Sequence, residues 1–253
     1  MILPNLPPSV EEPNKVAHDS FSMEFFSLRG KTALVTGGNS GLGLGFSEAL
    51  AKAGADLLVA SIHADQTKLR KLTQEHGVQL DFIDVDLTSK DASSKVIDAC
   101  MDRFGKLDIL VNNAGICRVN SVQNFGREDW DAMMALNVTA AFELAHQAAK
   151  IMIPQKSGKI INICSLFSFL GGQQSPAYSA SKHALAGFTK AYCDELGEHN
   201  IQVNGIAPGY YATDLTAETR QDPLLNQRIL DHIPANRWGN IDDLIGALVF
   251  LAS

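Results

Sequence analysis

A chain of 253 residues with 45% apolar and 19% charged side chains can bury a sizeable core, and its lean charge suits a sheet covered by helices on both faces. The net charge of −7, without a basic run able to follow a phosphate backbone, argues against nucleic acid as a partner and fits plain solubility. Cysteines at 100, 117, 164 and 193 lack C-x-x-C spacing in a chain too large to need staples, which points to free thiols in a reducing cytosol, and no apolar run reaches the ~20 residues of a membrane span.

Residues 1–22, with prolines at 4, 7, 8 and 13, lack a basic start followed by an apolar stretch, so they read as a flexible leader rather than a signal peptide, and Met23 can serve as an internal start. From Lys31 onward, short β-rich runs alternate with longer amphipathic segments. Strands are predicted at 32–36, 56–60, 79–84, 107–112, 159–164 and 202–206, with helices near 42–53, 65–76, 89–104, 128–153, 176–198 and 240–252. Runs such as Leu-Leu-Val-Ala at 57–60 and Ile-Ile-Asn-Ile at 160–163 are continuous rather than alternating, as strands buried on both faces are. The βαβα order implies one parallel sheet with right-handed crossovers, a single domain over 23–253 without repeats or linkers. The stretch 207–239, carrying Pro208, Gly209, Pro223, Pro234 and Gly239, breaks the rhythm directly after the sixth strand. Ligands of open parallel sheets bind beyond the strands' carboxyl ends, so this stretch is read as a substrate lid.

The first strand runs into Thr36-Gly37-Gly38-Asn39-Ser40-Gly41-Leu42-Gly43, and a helix opens at once. Glycines here permit positive φ and let a pyrophosphate approach bare backbone, while the helix start offers unpaired N–H groups and a positive dipole end. A Gly-rich turn alone is an ordinary bend; between a strand and a helix it has the context that dinucleotide binding requires. No Gly-Lys-Ser/Thr ends it, so it is not a P-loop.

The spacing G-x-x-x-G-x-G resembles that of the short-chain dehydrogenase/reductase family, and the resemblance extends from Phe26 to Ser253. It implies a Rossmann-type, doubly wound α/β sheet of strand order 3-2-1-4-5-6, helices on both faces, and a nicotinamide dinucleotide at Gly37, Asn39, Ser40, Gly41, Leu42 and Gly43. Asn112-Asn113-Ala114-Gly115 closes the fourth strand as the family's N-N-A-G does, placing Asn113, Ala114 and Gly115 at the coenzyme. Asp86-Leu87 follows the third strand, where the family holds the adenine ring; Pro208, Gly209, Tyr211 and Thr213 follow the sixth, where it grips the nicotinamide carboxamide. Each element alone is ordinary loop chemistry, and their order at strand ends is what makes them specific. Family members usually continue past Leu251-Ala252-Ser253 into a last edge strand with V-D-G-G. The usual seventh strand is thus expected to be missing, through truncation or an altered sheet edge and intersubunit contact.

Coenzyme choice turns on charge near the adenosine ribose. An Asp or Glu closing the second strand would bond both ribose hydroxyls, and an Arg or Lys would offset a 2′-phosphate. Here stand Ser61-Ile62-His63, and positions 39 and 40, Asn and Ser, lack the basic residue of many NADP-using relatives. Burying a doubly negative phosphate without a cation is costly, so NAD is expected, with His63 keeping NADP open.

Tyr178-Ser179-Ala180-Ser181-Lys182 puts Tyr and Lys four apart at a helix start, on one face, so the ammonium can approach the phenol. A free Tyr titrates at about 10 and is a poor base near neutrality. A neighbouring cation and an oxidised nicotinamide favour phenolate, which lets Tyr178 accept an alcohol proton or give one to a carbonyl. Y-x-x-x-K by itself also describes surface pairs. Ser165 ends the fifth strand, where its hydroxyl can hold the substrate oxygen, although a cap or turn is the usual employment of such a serine. The family resemblance adds the 13-residue separation of Ser165 from Tyr178. It also adds Asn137, in Leu136-Asn137-Val138, as a fourth catalytic member that kinks its helix and anchors a water chain to the lysine; the alternative is an ordinary helical Asn. Cys164 reads as core, and seven scattered histidines show no ligand spacing, so no catalytic metal is expected.

Within the family, the stretches 158–165, 207–213 and 233–239 are similar to enzymes acting on sugar acids: gluconate 5-dehydrogenase, 2-deoxy-gluconate 3-dehydrogenase and 2-dehydro-3-deoxy-gluconate 5-dehydrogenase. In those relatives an Arg follows N-N-A-G at the position of Arg118, where a guanidinium could clamp a substrate carboxylate; a solvated loop arginine is the alternative. Gln173, Gln174 and Tyr211 are candidate hydroxyl contacts by loop position, and Arg237 is read as structuring the lid. The resemblance thus implies a cytoplasmic, NAD-dependent sugar-acid dehydrogenase, homodimeric or homotetrameric. An NADPH-dependent 3-oxoacyl-carrier-protein reductase would prefer a basic residue at the ribose and a basic patch, neither evident; a non-catalytic dinucleotide sensor commonly loses Tyr or Lys, and both are kept.

Overall fold

The computed structural model describes residues 22–62 and 67–253, so the predicted leader up to residue 21, His63 and the predicted start of the second helix lie outside the described residues. Six apolar runs become strands: β1 Thr32–Thr36, β2 Asp56–Ser61, β3 Leu80–Asp84, β4 Ile109–Asn112, β5 Gly158–Ile163 and β6 Ile201–Ile206. All pairings are parallel and the order is β3-β2-β1-β4-β5-β6, the expected 3-2-1-4-5-6.

The helices follow in alternation: α1 Gly41–Lys52, α2 Thr67–His76, α3 Ala92–Phe104, α4 Arg127–Met134, α5 Ala141–Gln155, α6 Pro176–Leu196, α7 Ala217–Gln221, α8 Pro223–Leu230 and α9 Asp242–Ala252. Successive strand side chains point to opposite faces, and both faces are covered. Leu34, Leu58, Leu110 and Ile160 meet Val96 and Cys100 of α3 and Leu144 and Met152 of α5. Their neighbours Val35, Leu57, Ile109 and Ile161 meet Phe46 and Leu50 of α1 and Leu248 of α9. Each such fully buried side chain contributes roughly 1.5–3 kcal/mol.

Three departures from the sequence expectation are local. β4 starts two residues late, at Ile109; Asp108 before it still bonds both neighbouring strands through its backbone, its N–H to the Thr32 carbonyl (3.0 Å) and its carbonyl to the Lys159 N–H (2.9 Å), while its carboxylate takes the Thr32 N–H (2.8 Å), Lys31 and Lys106. The predicted helix 128–153 is α4 and α5 joined by a π-helical stretch, Ala135–Ala140, around Asn137, where the resemblance implied a kink. The stretch 207–239 contains α7 and α8; Asp222 caps α8 through the N–H groups of Leu224 (2.9 Å) and Leu225 (3.1 Å), with Pro223 at the first helical position. Among the described residues no helix is long and apolar enough to cross a membrane.

Candidate active site

The candidate residues gather at the carboxyl ends of β1, β4, β5 and β6. Gly37, just past β1, has φ +62°, and a Cβ there would stand 3.1 Å from the Asn113 amide nitrogen and 3.2 Å from Ala114 Cα. A Cβ on Gly43 would strike the Gly37 carbonyl oxygen and the same amide. The turn, the start of α1 and the N-N-A-G bend therefore pack backbone to backbone. Asn113 fastens them, its amide donating to the carbonyls of Thr36 (2.9 Å) and Gly37 (3.2 Å), while the Thr36 hydroxyl accepts from the N–H groups of Asn113 (2.9 Å) and Ala114 (3.0 Å). Ser40, at the N-cap of α1, makes no side-chain cap, so the first-turn N–H groups keep their capacity for an anion. Bare backbone and an uncapped helix start fit the pyrophosphate of a dinucleotide.

Ser61, closing β2, donates its hydroxyl to Asn39 Oδ1 at 2.6 Å, tying the end of β2 to the glycine turn after β1. Asp86 is exposed and caps its own turn, accepting from the Thr88 N–H (2.9 Å) and hydroxyl (2.7 Å), bonds that hold its carboxyl below the usual range. Leu87 buries its side chain in the core, which leaves only its backbone for a ligand. Thr213 caps the turn that follows Pro208 and Gly209, and its Cβ stands 3.9 Å from where a Gly41 Cβ would lie, so the stretch after β6 comes up to the glycine turn at the start of α1.

Ser165, Tyr178 and Lys182 converge at the end of β5. Lys182 is 4% exposed; its ammonium lies 5.6 Å from the Tyr178 ring centroid and donates to the Ile163 carbonyl at 2.7 Å. The Ser165 hydroxyl accepts from the Phe167 N–H at 3.2 Å, the Ser168 hydroxyl accepts from the Ser165 N–H at 3.2 Å, and Ser168 donates to the Lys182 carbonyl at 2.8 Å. Ser165 is thus a cap, as the ordinary reading has it, and its hydroxyl lies near enough to the Tyr178 phenol to favour the ionised form. One sequence expectation is corrected. Burial pushes the Tyr178 phenol up to about 12, opposed by the Ser165 hydroxyl, and burial pushes Lys182 down to about 8. In the protein alone, desolvation of the phenol outweighs the lowering by Ser165.

Asn137 is 1% exposed and pairs with Ile116 as one strand residue pairs with another: its Oδ1 accepts from the Ile116 N–H and its amide donates to the Ile116 carbonyl, both at 2.9 Å. The amide also donates to the Ser181 hydroxyl at 3.1 Å, and Ser181 donates to the Tyr178 carbonyl at 2.8 Å. The wide π turn holds the carboxamide to this loop, and a Cβ on Gly115 would lie 3.1 Å from Asn137 Oδ1 and 3.7 Å from Lys182 Nζ.

On the substrate side, Arg118 is not free: its guanidinium bonds Asp129 of α4 at 2.9 Å, and both groups remain partly exposed. The Asn120 N–H donates to the Gln174 carbonyl at 2.9 Å, joining the loop after β4 to the Gln173-Gln174 loop, where Gln174 holds φ +61°. The Tyr211 ring packs against the α1/α9 core and Gly239, whereas the ring of its neighbour Tyr210 lies 6.5 Å from Phe167, itself 6.0 Å from Tyr178. Arg237 pairs bidentately with Asp243 at 2.7 and 2.9 Å, in keeping with a structural part. Sequence reasoning passed over Thr36, Ser168, Ser181, Phe167 and Tyr210. Only the Ser165/Ser168 spacing of a capping box was a signal within reach.

A sequence profile described as short chain dehydrogenase matches residues 31–224. The chain is 67% identical over 235 residues to the uncharacterized oxidoreductase YgcW of Escherichia coli (strain K12), which covers 93% of this chain and 90% of that one. It is 44% identical over 230 residues to the 2-dehydro-3-deoxy-D-gluconate 5-dehydrogenase of Bacillus subtilis (strain 168), covering 90% and 89%. The solved structure of a gluconate 5-dehydrogenase from Burkholderia cenocepacia J2315 in complex with NADP and tartrate superposes with a TM-score of 0.86 at 37% identity, covering 91% of each chain. With a Gly-cradled turn, a buried lysine beneath a tyrosine and a profile match over most of its length, the chain belongs to the short-chain dehydrogenase family, NAD(P)-dependent oxidoreductases that act on CH–OH groups.

Proposed function

We propose that this enzyme interconverts a secondary alcohol and a ketone of a sugar acid, with Tyr178 as acid/base, Ser165 holding the reacting oxygen, Lys182 and Asn137 supporting the phenol, and NAD as preferred coenzyme. The observation that carries the reading is the convergence of the Ser165 hydroxyl, the Tyr178 phenol and the Lys182 ammonium beside the glycine cradle. A nicotinamide, when bound, would supply the hydride acceptor or donor and, when oxidised, a positive charge. In oxidation the Tyr178 oxygen takes the hydroxyl proton of the substrate; in reduction the phenol gives a proton to the carbonyl oxygen. The Ser165 O–H donates to the same substrate oxygen as its charge develops. We read residues 207–239, which contain α7 and α8, as the lid.

Sugar-acid specificity is supported by the names of the relatives and by the Arg118 guanidinium, whose single bond to Asp129 leaves further N–H groups for a carboxylate. A cytoplasmic setting fits four free cysteines. A homodimer or homotetramer fits the aromatic cluster of Phe142, 44% exposed, with His146 and Tyr192 on α5 and α6. A screen of gluconate, 2-deoxygluconate and keto-deoxygluconate with both coenzymes, followed by nicotinamide absorbance, tests the reading; no turnover of any would sink the substrate class.

Arg118→Ala should raise KM for carboxylate substrates by about 10- to 100-fold, the worth of a charge-assisted hydrogen bond, and leave neutral polyols nearly untouched. Equal losses on both would discard the clamp. Ser61→Asp sets a carboxylate at the ribose end, where it bonds a diol and repels a 2′-phosphate; the NAD:NADP ratio of kcat/KM should rise about 100-fold, and an unchanged ratio would remove Ser61 from the coenzyme groove.

A further inference from the structure

We propose that Phe167 is a positioning residue for Tyr178, held between the phenol and the lid by a chain of edge-to-face rings that continues through Tyr210 and Trp238. This rests on Tyr178 being the acid/base. Phe167 sits in the tight turn Leu166–Ser168 directly after Ser165. Its ring meets that of Tyr178 at 6.0 Å and 90°, and that of Tyr210 at 6.5 Å and 88°. On another side lies the Gly172 backbone: a Cβ there would stand 3.1–3.3 Å from Phe167 ring atoms. Tyr210 in turn meets Trp238 at 5.9 Å and 80°, and the Trp238 indole N–H donates to Asn226 Oδ1 of α8 at 2.7 Å. The two ends of the lid are joined where the Gly239 N–H donates to the Tyr210 carbonyl at 2.8 Å.

The backbone of the same turn is fixed independently of the ring. Ser168 bonds the Lys182 carbonyl, and the Phe167 N–H bonds the Ser165 hydroxyl. Phe167 therefore meets both groups that handle the reacting oxygen: Ser165 through its N–H and Tyr178 through its ring. An edge-to-face pair fixes a ring plane because the positive edge of one ring seeks the negative face of the other. A phenol must hold its oxygen within a fraction of an ångström of the reacting atom, so a small change in ring tilt appears in kcat. The chain of rings makes that tilt depend on how α8 and Trp238 are seated.

The four tyrosines allow a test independent of turnover. In protein carrying fluorotyrosine, the fluorine resonance of Tyr178 is assigned by its loss in Tyr178→Phe. Trp238→Leu, which alters no direct neighbour of Tyr178, should shift or broaden that resonance, and should have no such effect in the Phe167→Leu background. In turnover, Phe167→Leu should lower kcat about tenfold, the upper worth of one edge-to-face pair, at unchanged coenzyme Kd. The double variant should be no worse than Phe167→Leu, since residues on one path couple instead of adding. Phe167→Met, whose longer and more adaptable side chain can refill more of the ring's space, replaces Phe167→Leu if the latter does not fold. A Tyr178 resonance indifferent to Trp238→Leu, or kcat losses that multiply, would overturn the proposal. Failure of the acid/base reading shows separately, as retained turnover in Tyr178→Phe.

Discussion

Tyr178→Phe is expected to lower turnover by at least about a thousandfold, within the range that a positioned acid/base contributes, while the coenzyme Kd stays within about threefold. The substitution removes one oxygen and keeps the ring that packs on Phe167, so the fold and the glycine cradle are left intact. Coenzyme binding by fluorescence and turnover by nicotinamide absorbance separate the two effects. Activity retained in this variant would remove Tyr178 from the chemistry. The wild-type pH dependence has a definite sign. Burial raises the phenol to about 12, so in the absence of further positive charge it is protonated throughout the neutral range. Reduction, which needs the protonated form, should hold level from about pH 6 to about pH 8, whereas oxidation, which needs the ionised form, should climb with pH. Oxidation that falls over that interval would contradict the assignment.

Lys182→Met should abolish most turnover and change how stability responds to pH. The folded pKa of Lys182 is pushed down to about 8 from 10.5 by burial. Below pH 8 folding therefore buries a charge at a cost. As pH rises from about 8 to about 10.5, the folded lysine has shed its proton while the unfolded one still holds it, and the cost is relieved. Wild type should accordingly gain about 2–3 kcal/mol relative to Lys182→Met between about pH 7 and about pH 10. Tyr178 works in the opposite sense only above about 10, where an unfolded phenol ionises and the folded one does not. The methionine fills the lysine's volume but leaves the Ile163 carbonyl without its donor, which costs about 1–3 kcal/mol independently of pH. Urea denaturation of both proteins across this interval measures the difference; parallel curves would show that Lys182 is hydrated and the site wetter than its burial indicates.

The parallel sheet was legible because periodicity is local: continuous apolar runs over 57–60 and 160–163 announce strands covered on both faces, whatever lies next to them. The glycine turn between β1 and α1 and the one-turn spacing of Tyr178 and Lys182 were legible for the same reason, since each is complete within a few residues. What joins residues far apart in the chain was not legible. Asn137 reaches Ile116 and Ser181 only because the helix opens into a π turn; the family resemblance of Leu136-Asn137-Val138 implied a kink there, but not these partners. Tyr210 and Tyr211 are indistinguishable as letters. Their rings lie in different surroundings, one in the aromatic chain beside Phe167 and one against the α1/α9 core, because the path after β6 decides which faces the site. The sign of the ionisation shifts was also settled by tertiary structure. A four-residue spacing brings a cation near a phenol, but how much water both lose depends on packing from β5, α6 and the loops above them, and here that loss prevails.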